Sequence, residues 1–312
     1  MSSLTAPSLP TCLKARGHAL DLSPEKFGFL ATYNDALHDP EELRRRLQEE
    51  GYLYLPGFFD RSLIEDARRS LTDRLSAQGL LHPDRNPYDG IAHPDPARRT
   101  VFKSDLTENN EAIDRVVFGP EIFGFYESFF GEAVRAFDFK WLRAIGPGLG
   151  TQAHCDWVYM SRGTPNLLTC WIPYADVPLE VGGLMMLERS HLQAARIKNY
   201  LDSDVDAYCE NRPRDVALAQ EGKFIHQGWL SERSDTLPAK FNTRWLTAPE
   251  WKMGDLLTFN MTMIHGSLDN QTDCIRLSSD TRYQRASEPA DERWIGAKPL
   301  GHSTAGKRGR IC

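Results

Sequence analysis

At residue 134 the chain changes character, and that change limits the folds open to it. Ahead of it lie helix signals. Asp39-Pro40-Glu41-Glu42 supplies a capping side chain, a proline at the first helical position and a glutamate three residues after the cap, and Gly51 follows as a stop; together these predict a helix over about 40–50. Residues 52–58 read as a strand ended by a turn. Asp60 then caps a second helix, whose Leu63, Ala67, Leu71 and Leu75 form one apolar stripe before Gly79 closes it. The stretch 80–100, rich in Pro, Asp and Arg, is expected to be loop, and Pro120 to Gly131 an aromatic-rich helix. Beyond 134, residues 135–145, 152–160, 167–174, 183–188, 255–260 and 273–283 are β-type runs, several of them separated by turn signals such as Gly146-Pro147-Gly148. Helices gathered first and strands second exclude alternating βαβ units. They predict a mainly β protein with flanking helices, its core a double-sheet barrel or jelly roll under a helical N-terminal region.

Residues 1–38 read as an N-terminal extension, 39–284 as one domain and 285–312 as a polar tail. Within the domain, the polar segment of about 192–250 is too long for an ordinary connection; it carries Trp229 and Trp245 and is expected to be a lid over a pocket. The Gly306-Lys307-Arg308-Gly309-Arg310 run is expected to be a solvated end. A chain of 312 residues with 41% hydrophobic content can bury a full core without a disulfide or metal to hold it. The net charge of -6 gives no broad basic field, so a small molecule is the expected partner in place of nucleic acid. No run approaches the roughly 18 apolar residues of a membrane span, nor does the start look like a signal peptide, and a cytoplasmic location is expected. The six cysteines (12, 155, 170, 209, 274 and 312) show no paired spacing and read as free thiols in a reducing compartment.

Two histidines and one carboxylate on one face of a redox-active iron leave positions for an organic acid and dioxygen. Alternate residues of a strand point to one side, so a His-x-Asp on a strand would aim both ligands at one ion. The chain has three such triplets: His82-Pro83-Asp84, His93-Pro94-Asp95 and His154-Cys155-Asp156. The first two carry a central proline inside the irregular stretch and are expected to be turns. The third lies between a Gly-rich turn and β-formers. Its distant partner is expected to be His265, at the far end of the strand that follows Gly254-Asp255; His191 is the second choice. Arg276 stands in a strand pattern where a buried guanidinium needs an anion, either an internal Asp or Glu or the distal carboxylate of a diacid. Ser278 would face the same way and add a hydroxyl. Of Lys140 and Arg143, an odd number of residues apart, only one can face a pocket.

With these residues in place the chain resembles the phytanoyl-CoA dioxygenase family of iron(II)/2-oxoglutarate oxygenases. The likeness is carried by His154-x-Asp156, by Gly182-Gly183-Leu184-Met185-Met186-Leu187-Glu188-Arg189-Ser190-His191, by Gly254-Asp255, by His265-Gly266-Ser267 and by Arg276. It implies a double-stranded β-helix, iron(II) on His154, Asp156 and His265, 2-oxoglutarate on Arg276, and dioxygen as the other co-substrate. It further implies that Ser267 and Trp171 line the co-substrate, that Lys103 matches a co-substrate lysine of some members, and that His191 belongs to a turn. The expected reaction is hydroxylation of a C–H bond in a small molecule with release of succinate and carbon dioxide. Asp156 disfavours the variant of the family that gives up its carboxylate to bind chloride. The chain departs from the family at Cys155, where some members place a glutamine, and in the length of the 192–250 segment. A cupin-like metal-dependent isomerase or hydrolase would use the same three ligands without needing Arg276, and a non-catalytic binding jelly roll would keep only the fold.

Overall fold

The computed structural model describes residues 12–312. A helical layer forms first, as the capping signals require. Asp39 accepts the backbone N–H of Glu42 at the start of Pro40–Glu50, and Gly51 ends that helix at φ 81. Arg61–Ala77 buries Ile64, Ala67, Leu71 and Leu75 along one side. Pro120–Phe130 lays Tyr126 against a sheet, where its hydroxyl donates to Thr258 Oγ1 at 2.8 Å.

Six strands make the larger sheet. Tyr52–Leu55, Leu256–Asn260, Leu168–Pro173 and Arg276–Arg285 lie in that order, and the last pairs along its outer side with both Val134–Ala136 and Trp141–Ile145. Four strands make the smaller one: His265–Ser267, Leu184–Leu187, Trp245–Thr247 and Phe27–Phe29. Within these two sheets the strand pairs are antiparallel except Phe27–Phe29 with Trp245–Thr247. This is the expected two-sheet jelly roll. Asp255 ties its hairpins together, taking hydrogen bonds from the Tyr54 hydroxyl and the Gly57 N–H, while Gly254 turns at φ 100 where a Cβ would meet Phe59 O at 2.6 Å. No helix among the described residues is long and apolar enough to cross a membrane.

Four expectations are corrected. Residues 152–160 do not form a strand: after single bridges at Ala153 and His154 the chain turns into a 3₁₀ helix over Asp156–Tyr159. Its β-formers serve packing, since Trp157, Tyr159 and Met160 join a cluster around Trp294. Residues 135–145 split in two because Asp138 and Phe139 bond the Trp294 carbonyl in place of a neighbouring strand. Cys209 and Cys312 form a disulfide across 103 residues, with Cα atoms 5.5 Å apart, so only four of the six cysteines are free. The tail is also docked along much of its length, although Arg308 and Arg310 of the 306–310 run stay exposed. Arg308–Arg310 pairs in parallel with Ala207–Cys209, and Trp294 and Arg293 are wholly buried. Asp291, Arg293 and Lys307, polar residues of this tail, are instead paired in the interior.

Of the long segment, Trp245 is a sheet residue with its indole N–H on Ser234 O at 2.9 Å, and short helices fill much of the remainder. Phe27–Phe29, ahead of the expected boundary at 39, is likewise the outer strand of the smaller sheet.

Candidate active site

His154 and His265 meet through their backbones, each N–H donating to the other's carbonyl at 2.9 Å. Their rings lie 4.2 Å apart between centroids. Nδ1 of His154 lies 2.8 Å from Gln152 O, and Nδ1 of His265 lies 3.0 Å from Met263 O. A carbonyl only accepts, so both rings carry the proton on Nδ1 and keep a lone pair on Nε2. Both Nε2 atoms stand 3.7 Å from Asp156 Oδ1. The 3₁₀ turn delivers Asp156 to this point; a continuous strand is not needed.

The second oxygen of Asp156 is committed elsewhere. It accepts from Thr169 Oγ1 at 2.5 Å and from Arg282 Nη2 at 2.7 Å, leaving Oδ1 for a cation. The three donor atoms lie within 4.8 Å of one another and could hold a metal ion. Burial, reinforced by the neighbouring His265, pushes the His154 imidazole down to about 3. Burial lowers His265 as well, against the pull of Asp156. Burial resists ionisation of Asp156 too, yet Arg282, the two histidines and the Thr169 hydroxyl overcome it and hold the carboxyl well below the usual range. Two neutral imidazoles and one carboxylate are the protonation states that a divalent cation binds.

Arg276 is buried on the same wall, in a narrow cavity that also touches His154, His265, Thr169 and Trp171. One Nη1 hydrogen bond reaches Gly182 O, Nε has no partner, and no carboxylate among the described residues pairs with it. Burial drives its guanidinium down to about 10, a strain that a bound anion would relieve. Nearby, the Trp171 indole N–H and the Ser278 hydroxyl are also buried without partners. Of these, Arg276 and Trp171 line the cavity, and their unmet N–H donors fit a carboxylate ligand.

The other predicted residues divide. Ser267 is buried beside the triad, with its Oγ accepting the Thr151 N–H at 2.9 Å. Lys103 is a correction: its ammonium pairs with Asp105 at 3.0 Å near the surface, outside both cavities, because its N–H is anchored to Leu142 O and a 3₁₀ turn leads the chain away. His191 faces Gln48 O and is not among the clustered ligand atoms. His82 and His93 accept backbone N–H groups two residues on, as turn residues do.

A second cavity of about 300 Å³ opens beside His154 and Asp156. Phe102, Trp141, Tyr159, Phe224 and Trp229 give it an aromatic lining, so part of the long segment does act as a wall. Arg143 faces this space while bonding Asp280 Oδ2 at 3.0 Å, and Lys140 turns away to Asp114.

Sequence reasoning missed Thr169, Arg282 and His302. For Arg282 a signal existed: 276, 278, 280 and 282 share one face of a strand, so a second arginine was aimed at the same interior. Its guanidinium also stacks 4.3 Å over Trp141. Replacing Arg282 with methionine keeps bulk and removes the bond to Asp156; iron(II) affinity should fall about 10- to 100-fold with all three donors still present. Metal competition against a chelator measures this, and unchanged affinity would leave Arg282 a packing residue only.

The model of the phytanoyl-CoA dioxygenase (PhyH) family matches residues 47–278. A 1-deoxypentalenic acid 11-beta-hydroxylase of Streptomyces exfoliatus is 28% identical over 274 residues, covering 80% of this chain and 83% of that protein. Two solved structures from nogalamycin biosynthesis share the fold. The epimerase SnoN, in complex with Fe3+, alpha ketoglutarate and nogalamycin RO, has a TM-score of 0.55 at 19% identity over 84% of this chain and 93% of its own. The alpha ketoglutarate dependent carbocyclase SnoK has a TM-score of 0.56 at 17% identity over 83% and 88%. With a family match across most of its length and a two-sheet core to carry it, this chain belongs to the phytanoyl-CoA dioxygenase family.

Proposed function

We propose that the protein is an iron(II)- and 2-oxoglutarate-dependent dioxygenase that hydroxylates a C–H bond of a small molecule. In this reading His154, Asp156 and His265 hold the iron, and Arg276 grips the distal carboxylate of 2-oxoglutarate, with Ser267, Ser278 and Trp171 around it. One observation carries it: three metal-type donors within 4.8 Å share a wall with a buried arginine that has no acid partner among the described residues. Iron with 2-oxoglutarate and dioxygen supplies an oxidant for the C–H bond, the co-substrate leaving as succinate and carbon dioxide. The protein's own work is placement. Backbone carbonyls fix both imidazoles, Thr169 and Arg282 fix the carboxylate, and the aromatic cavity excludes water around the C–H bond presented to the metal.

The hydroxylase relative is named for 1-deoxypentalenic acid, which supports a small-molecule substrate. The presence of Asp156 supports hydroxylation over halogenation, and the unpaired Arg276 weighs against an isomerase or hydrolase without a diacid co-substrate. The test is anaerobic reconstitution with iron(II) and 2-oxoglutarate, followed by admission of air. A weak visible charge-transfer band and then succinate release are expected. A protein that binds iron but forms neither band nor succinate would remove the assignment.

A further inference from the structure

The cavity beside the triad is closed by a residue from outside the family match. His302 lies beyond residue 278, the last one matched, and lines the same space as His154 and Asp156. Its Nδ1 is 2.7 Å from Asp206 Oδ2, a carboxylate with no solvent exposure. Arg293 Nη1 and Lys307 Nζ also reach it at 2.7 Å each. Around it the buried and half-buried acids Asp204, Asp206 and Asp291 are met by Arg162, Arg293 and Lys307, three against three, with Glu292 at the exposed rim. Burial resists ionisation of Asp206, yet His302 and then Lys307 overcome it and hold the carboxyl well below the usual range, and the same hydrogen bond orients the imidazole ring.

The ring is held on its faces and edges as well. Trp294 and Phe224 lie 4.7 and 4.8 Å from it between centroids, both edge-on. Tyr159 stands 6.0 Å from His302 and 5.7 Å from His154, so a single aromatic ring separates it from the triad. With Nδ1–H given to Asp206, Nε2 is the ring nitrogen left for a ligand in the cavity, and it has no protein partner among the described residues.

We propose that His302 is a substrate-binding residue whose Nε2 accepts a hydrogen bond from a hydroxyl on an otherwise apolar substrate, with Asp206 as the residue that positions it. The inference rests on the dioxygenase reading for the identity of the neighbouring site. The hydroxyl fixes one end of the molecule, the aromatic walls take its hydrocarbon body, and a C–H bond at the other end lies against the triad. An O–H donor is required, so a methyl ether of the same molecule loses the contact while keeping its shape.

The test uses three matched pairs on the full chain, loaded anaerobically with iron(II) and 2-oxoglutarate: borneol, 2-decalol and cedrol, each against its methyl ether. Binding is read by perturbation of the visible band, which also reports whether metal and co-substrate are in place. At least one alcohol should bind about tenfold tighter than its ether, the worth of one hydrogen bond. His302→Phe, which keeps an aromatic ring, should reduce that preference to less than about twofold while leaving the band and the ether's affinity unchanged. Asp206→Asn should weaken the preference and His302→Gln partly retain it, outcomes that a merely structural role would not produce. The proposal falls if no pair favours its alcohol in the unaltered protein, or if the preference survives in His302→Phe. Loss of the band itself would count against the dioxygenase reading instead.

Discussion

Replacing His265 with alanine is expected to lower iron(II) affinity by more than about a hundredfold, beyond the 10- to 100-fold typical of losing a residue that only supports a ligand. The reason lies in how completely the site is prepared. Each imidazole is already in the tautomer that offers Nε2, because Gln152 O and Met263 O hold the other nitrogen. Both Nε2 atoms already face the free oxygen of Asp156 at 3.7 Å. Little ordering cost remains when a cation arrives, so the affinity rests on the number of donors, and removing one of three leaves a weak pair. His265 is the cleaner position to test. Asp156→Ala would also leave Arg282 buried without its carboxylate, a penalty of about 3–5 kcal/mol that confuses metal loss with unfolding. Equilibrium dialysis with iron(II), backed by metal content after desalting, decides the matter. A His265→Ala protein that keeps one iron per chain would remove His265 from the site.

Much of this site could be read from residue order, and the parts that could not share a cause. Arg276 and His265 were legible because an arginine inside a strand pattern, and a histidine at the end of a buried strand, are costly unless something needs them. The helix at 40–50 was legible because Asp39 and Gly51 act locally. The His154 segment reads from its order as a strand, but Asp156 reaches the site from a 3₁₀ turn whose shape is set by packing of Trp157 and Tyr159 near Trp294, more than a hundred residues away. Cys209 and Cys312 were unreadable as a pair for the same reason, since their approach follows from the parallel pairing of Arg308–Arg310 with Ala207–Cys209. The tail looked solvated because Arg293 and Lys307 are charged; what sequence order hides is that Asp206 and Asp291 wait for them in the interior.

Arg276→Ala is expected to weaken 2-oxoglutarate binding by at least about a hundredfold while leaving iron(II) retention close to that of the unaltered protein. A buried guanidinium with one hydrogen bond to Gly182 O and a partnerless Nε is held at a cost, and burial lowers its pKa to about 10. A carboxylate docking in parallel on two N–H groups recovers that cost, and truncating one partner of such a buried pair typically removes 2–5 kcal/mol of binding. The apo protein should respond in the opposite sense. With the uncompensated charge gone, Arg276→Met, which fills much of the same volume, should melt no lower than the unaltered chain. Added 2-oxoglutarate should then separate the two. At a hundred times its dissociation constant a ligand stabilises the native state by about 2.7 kcal/mol, so the unaltered iron-loaded protein should show a clear rise in Tm, and the variant at the same concentration should show little. Lysine at 276 keeps the charge but not the fork, and should restore only part of the affinity. Calorimetric titration of the iron-loaded proteins under anaerobic conditions gives all three values, and equal affinities for the arginine and alanine forms would move the co-substrate's distal carboxylate to some other residue.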